Sequence, residues 1–368
     1  MASRKSTSAR GGAGALAVKK RAKGPALDVV CFGETLWDIY ESKPTRGEPM
    51  GRDFYRALGG APANVATDLA RLGVRSAVVG GVGEDRFGAA LAHHLARDGV
   101  DTRFLIHLPN RTGLTFVSRD ARGEPSFLFY RHDSADMAVR AEHVTPEMGE
   151  ATWALVGTST MMRPDLAAAT RRFLDVAAAA GAHLVVDLNV RAHLWSDKDA
   201  MREAVASLVR GAAIVKGSFD DLIALTGRRD ILWLADHAPK AAWIITQGAK
   251  GASAIGDHGF VARPALRTKC VDATGAGDAF IAGALATLLA AHATPGTAAW
   301  KDEQVWTSAL EVGHMLGAKA VSGVGSVSGI VGLGPVRARI KAAAASAERA
   351  ASRTRAASTS STRRKPRA

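Results

Sequence analysis

What most limits the fold of this chain is a repeated alternation of short apolar runs with longer amphipathic stretches. Residues 27–33, 76–82, 155–158, 183–188, 212–215 and 242–246 are nearly continuous apolar segments that end in Gly, Asn, Asp, Ser or Thr, the pattern of strands buried on both faces. Between and after them, 62–72, 86–98, 165–180, 198–210, 220–225, 278–291 and 304–320 carry helical periodicity. Strand and helix in alternation predict an α/β fold with a mostly parallel central sheet and helices on both sides. Ligands of such sheets gather at the carboxyl ends of the strands. Two pieces interrupt the rhythm, about 37–58 and 112–131, and the second reads as a β-hairpin around Asp120 to Gly123. Together they are expected to form a small separate sheet, a lid over one edge of the main domain.

The formal charge of +13 would by itself suggest a nucleic-acid or other polyanionic partner. Its distribution argues otherwise. Residues 1–24 hold seven basic side chains and no acid, and 336–368 hold ten basic residues and one acid, Glu348. The remaining 25–335 contain 31 basic against 34 acidic residues, so the body is slightly acidic. Both ends are rich in Ala, Ser, Lys and Arg and poor in large apolar groups, and both are expected to be disordered tails around a single domain of 25–335. No run approaches the ~18 apolar residues of a membrane span. The first residues fit a basic tail better than a signal peptide, with an acid-free transit peptide as the other reading. Two cysteines, Cys31 and Cys270, are too few for a disulfide framework and suggest a reducing, cytoplasmic setting. The eleven histidines form no paired motif, so none is assigned a metal.

Three glycine- or acid-bearing turns carry chemistry. In the segment from Val271 to Phe280, Gly275, Ala276 and Gly277 run directly into a helix starting near Asp278. Unpaired backbone N–H groups and the positive helix end then face one point, an anion hole. An acid at that place would repel the anion unless its task is to take a proton from a nucleophile attacking it; an ordinary N-cap is the alternative for Asp278. Gly59 and Gly60 precede a second helix whose Asn64 can donate and accept hydrogen bonds, as a pair of sugar hydroxyls requires, although a plain Gly-Gly turn with Pro62 in the first helical turn would look the same. Asp38 follows the first strand, as a hydroxyl-binding carboxylate or a solvated loop residue.

The box from Gly59 to Ala66 and the box from Asp272 to Asp278, in that order and about two hundred residues apart, resemble the two signatures of the PfkB, or ribokinase-like, carbohydrate kinases. The segments 123–136, 187–195, 215–222 and 246–251 are most similar to fructokinases within that family. The resemblance covers roughly 27–335 and leaves out both tails. It implies a ribokinase-like three-layer sandwich with a β-sheet lid. It implies ATP-dependent phosphorylation of a sugar primary hydroxyl, with D-fructose favoured. Asp278 would be the general base, and Gly275, Ala276 and Gly277 would stabilise the transferred phosphoryl. Asp38, Gly59, Gly60 and Asn64 would hold the sugar. Arg131 and Arg191 would assist with substrate or phosphate, a surface ion pair being the other reading of each. Asn189, Lys216, Thr246, Gly248, Gly251 and the 323–326 loop with Gly325 would border ATP. Asp221 would organise Mg²⁺ through water, and a monovalent cation such as K⁺ near Asp272 is a further cofactor expectation.

The chain departs from the family pattern at three places. Ala273 replaces a threonine, Asp221 stands where Glu is usual with Ser218 in place of Asn, and the segment Ser159 to Arg163 differs from fructokinases close to the substrate. Another acceptor (2-keto-3-deoxygluconate, ribose or a nucleoside) is therefore kept as an alternative. So is polyanion binding through the tails. A homodimer through the lid edge is a further expectation.

Overall fold

The computed structural model describes residues 26–42, 50–119 and 125–362. Its main sheet has nine strands: β1 (Leu27–Phe32), β4 (Ser76–Gly83), β5 (Leu105–Leu108), β8 (Ala151–Gly157), β9 (His183–Asp187), β10 (Ile214–Ser218), β11 (Ala242–Thr246), β12 (Ala252–Gly256) and β13 (Gly259–Arg263). They lie in the order β13-β12-β11-β10-β9-β8-β1-β4-β5, parallel from β11 to β5, with β12 and β13 antiparallel at one edge. The period-two alternation of a strand shows directly in β1, where Val29 and Cys31 face one core and Val30 and Phe32 the other.

One core is covered by α1 (Ala61–Leu72), α2 (Arg86–Arg97), α7 (Ala276–Ala290) and α8 (Glu303–Ala320), and the other by α3 (Pro164–Ala179), α4 (Lys198–Val209), α5 (Phe219–Thr226) and α6 (Leu232–His237). The result is the expected three-layer α/β architecture. Helix α7 has no polar face, and from Asp278 to Leu288 every residue is buried. It is therefore an interior helix. The small sheet is present too, four strands in the order β3 (Phe54–Gly59), β2 (Leu36–Glu41), β6 (Leu114–Arg119) and β7 (Pro125–Tyr130). The turn expected at Asp120 to Gly123 lies outside the described residues, as does the amino-terminal tail 1–24.

The expectation of disorder for 336–368 is overturned over most of its length. Helix α9 runs from Gly334 to Thr362. Val336, Ala343 and Ala347 are buried, with Ile340 partly so, on an i, i+4, i+7, i+11 stripe that packs against α7 and α8. Arg339 pairs with Glu311 of α8. Composition misled here because alanine is small but has the highest helix propensity, and a stripe of it lets helices approach closely. Residues 363–368 lie outside the described residues. Strands β5, β12 and β13 and helix α6 also escaped the sequence reading, being short elements without a long apolar run.

Candidate active site

The carboxyl ends of β1, β9 and β10, the first turns of α1 and α7 and the inner face of the small sheet enclose a cavity of about 240 Å³. That is below the ~300–1,000 Å³ of drug-sized sites and suits a single sugar ring. Asp38, Gly60, Asn64, Arg131, Asn189, Arg191, Lys216, Gly275, Ala276, Gly277 and Asp278 all line it. Larger concavities of 910 and 660 Å³ open at the amino ends of the strands, away from every glycine-rich turn. The smaller cavity is where the chemistry converges.

Helix α7 begins at Gly275, whose φ of 77° is left-handed and whose missing Cβ would stand 2.6 Å from Ser326. The N–H groups of Gly277 and Asp278 find no backbone acceptor among the described residues and face the cavity with the helix dipole behind them. A Cβ on Gly277 would lie 2.7 Å from Lys216 Nζ, so glycine is what admits the ammonium to the helix end. Lys216 is buried and bridges both oxygens of Asp187, at 3.0 and 3.1 Å. Burial works against its charge, but Asp187, Asp221 and Asp278 outweigh this and hold the lysine above its ordinary pKa. Burial raises Asp187 to about 6 despite Lys216, and the pair stays ionised at neutral pH.

Asp278 is buried, and its Oδ2 accepts a hydrogen bond from Asn64 Nδ2 at 2.8 Å. Burial raises its pKa, opposed by the Asn64 bond and by the charges of Lys216 and Arg191. A carboxylate so placed is more basic than one in water, as a general base requires. The Asp38 carboxylate makes no hydrogen bond among the described residues, and burial together with Asp278 and Asp272 raises it well above the ordinary carboxylate range against the opposing charge of Arg131. Its free oxygens face the cavity. Arg131 is no surface ion pair: it is buried, 2.6 to 2.7 Å from Asp136, which is held in turn by Ser134. Arg191, by contrast, has no ion-pair partner among the described residues.

Asn189 adopts a φ of 34°, rare for a residue with a side chain. Its flanks are tied down, Leu188 N–H to the Lys216 carbonyl at 2.8 Å and Val190 N–H to Asp221 Oδ1 at 2.6 Å. Asp221 Oδ2 meanwhile caps α5 through the N–H and hydroxyl of Ser218, both at 2.7 Å. The shorter acid thus orders the Asn189 turn, and a metal would reach it only through water. No cluster of three His, Cys, Asp or Glu able to hold a metal ion occurs among the described residues. The fit is to a cation that arrives on phosphate oxygens and keeps its waters, as Mg²⁺ does.

Some expected residues stand outside the cavity. Gly59 lies beneath Asp38, where a Cβ would come within 2.5 Å of Oδ1. Thr246, Gly248 and Gly251 sit at the end of β11, one strand beyond Lys216, and Gly325 donates its N–H to Asp272 Oδ2 at 2.9 Å. Glu34, Ser159, Phe127 and Phe129 also line the cavity; sequence reasoning placed the segment starting at Ser159 close to the substrate but missed the other three. Glu34 and Ser159 follow β1 and β8, where the strand-end rule alone would have pointed. The two phenylalanines alternate along β7 with Leu128 and Tyr130, which are exposed on the outer face.

Residues 26–331 match the pfkB family carbohydrate kinases. The chain belongs to that family. It is 37% identical to fructokinase-1 of Zea mays over 265 residues, covering 70% of this chain and 81% of the relative. Among solved structures, a fructokinase from Xylella fastidiosa with bound ATP is 30% identical with a TM-score of 0.74, covering 85% of this chain and 98% of that one. A candidate ribokinase II from E. coli in complex with ATP and Mg²⁺ is 26% identical with a TM-score of 0.72, covering 86% and 99%. The three-layer fold with its small sheet is thus the ribokinase-like fold, and the chain is a sugar kinase of the pfkB family. Among the described residues no helix is long and apolar enough to cross a membrane.

Proposed function

We propose that this kinase transfers the γ-phosphoryl group of ATP to the primary hydroxyl of D-fructose, giving fructose 6-phosphate and ADP. The observation that carries the reading is the placement of Asp278 beside free helix N–H groups in a cavity that the carboxylate of Asp38 also lines. Asp38 accepts sugar hydroxyls and fixes the ring. Asp278 takes the proton of the attacking hydroxyl as the new O–P bond forms and the bond from the γ-phosphorus to the bridging oxygen breaks, releasing ADP. The N–H groups of Gly277 and Asp278, with Lys216 and Arg191, meet the charge on the transferred phosphoryl. Mg²⁺ carried by the nucleotide would be held through water by Asn189 and Asp221 and would supply positive charge against the phosphates.

Fructose is favoured by the fructokinase relatives and by a sugar-sized cavity walled by Phe127 and Phe129. The test is ADP release from purified protein with ATP and Mg²⁺, offering fructose, ribose, 2-keto-3-deoxygluconate and adenosine in turn. Fructose is expected to give the highest kcat/KM. A higher value for another acceptor replaces fructose, and no release with any of them removes the kinase assignment. Adding K⁺ to the same assay tests the monovalent-cation expectation at Asp272.

A further inference from the structure

Asn64 does not face the cavity freely. Its Nδ2 donates to Asp278 Oδ2 at 2.8 Å, while its Oδ1 lies 2.8 Å from the hydroxyl of Ser326, on the loop after α8. Asn64 and Ser326 are 4% and 1% exposed, so neither group has water as a ready substitute. We propose that Ser326 is a positioning residue for the phosphoryl-transfer base, acting through Asn64 to hold one oxygen of Asp278 and leave the other to the sugar.

The argument is one of donors and acceptors. An ionised Asp278 only accepts, so the amide nitrogen must face it and the amide oxygen must face away. A donor at Ser326 stabilises that orientation; with no donor there, the oxygen would be buried and unsatisfied, and the amide could equally turn its oxygen toward Asp278. That flipped amide tolerates only a protonated acid. Ser326 Oγ is also 2.8 Å from the Leu58 carbonyl, and its single proton serves one acceptor at a time. The loop itself is clamped from outside: Arg71 of α1 donates to the Val327 carbonyl and pairs with Asp98 at 2.6 Å, and the Arg71 carbonyl accepts from Arg337 of α9. Because Asp278 Oδ2 is occupied by Asn64, the sugar proton arrives on Oδ1, and no proton need travel along the network.

The inference rests on Asp278 being the base, and the experiment separates the two. Asp278 is faced by Lys216 of β10, Arg191 after β9, Glu34 after β1, Asp187 of β9, Asp38 of β2 and Asp68 of α1, all of which a change at Ser326 leaves in place. The full chain with ¹³C-labelled aspartate carboxyls is titrated by NMR as wild type, Ser326→Ala, Asn64→Ala and the double variant, with Asp278→Asn assigning the resonance. Ser326→Ala is expected to move the Asp278 midpoint upward by roughly half to one pH unit, the worth of about one net hydrogen bond. In the Asn64→Ala background the same change should move it no further. The acid limb of kcat/KM should shift with the midpoint. An unmoved midpoint, or a shift that survives loss of Asn64, overturns the brace. If no sugar is phosphorylated the function fails, and the NMR titration still decides the brace.

Discussion

Asp68 offers a quantitative test of the buried electrostatics. It lies on α1 with no exposure, and neither carboxylate oxygen has a hydrogen-bond partner among the described residues. Burial raises its pKa well above the ordinary range; nearby Arg71 opposes this, and Asp278 and Asp98 add to it. Above about pH 4 the unfolded chain releases this proton and the native chain keeps it, so the native state binds more protons and stability falls as pH rises toward the folded pKa. For one proton the slope is at most about 1.36 kcal/mol per pH unit while the native acid keeps it. At roughly 2 °C per kcal/mol for a large domain this is at most about 3 °C in Tm per pH unit. Asp68→Asn keeps the shape and removes the ionisation. Thermal unfolding of both proteins from pH 5 to pH 8 should show the variant gaining on wild type as the pH rises, the other buried acids cancelling in the difference. A gap that does not change with pH would refute the reasoning.

Asp278→Asn should lower kcat by about 10²- to 10⁴-fold while leaving ATP affinity within a few-fold, measured by ADP release and by nucleotide titration. Unchanged turnover would remove its role as base. Lys216→Met strands Asp187 in the interior and should cost about 3–5 kcal/mol at pH 8, and less near pH 5, where an acid already raised to about 6 takes up a proton. Adding Asp187→Asn should recover much of the loss in the same unfolding experiment. Val336→Asp places a charge in the fully buried contact of α9 with α7 and α8 and should lower Tm by several degrees. A Tm equal to wild type would mean that the helix contributes nothing to the fold.

The parallel core was legible because six strands buried on both faces leave an unbroken apolar signature, whereas β12 is five mostly small residues ending in Gly256, and β13, exposed at the edge, runs from Gly259 to Arg263, so neither leaves one. At the site, residues fixed by local backbone need were visible: Gly275 must be left-handed, and Asp278 follows it on the helix. Arg131 was visible as a residue but not as a buried pair, because Asp136 meets it only once the chain has turned past β7. Ser326 was hidden for the same reason, lying 262 positions from the amide it orients. Long-range hydrogen bonds leave no periodicity to find.

Helix α9 changes what the basic carboxyl end is physically. At about 1.5 Å per residue its 29 residues form a rod of roughly 44 Å, of which some 22 Å lies beyond Ala347, its last buried side chain among the described residues. Arg337 and Arg339 of the docked half are committed to the Arg71 carbonyl and to Glu311. Added salt therefore acts unevenly along one helix: short-range, partly buried contacts at its base are weakly screened, while charges further out are screened within a Debye length of ~8–10 Å. The basic carboxyl end is therefore no mere appendage: its first turns, from Val336 to Ala347, are part of the kinase core.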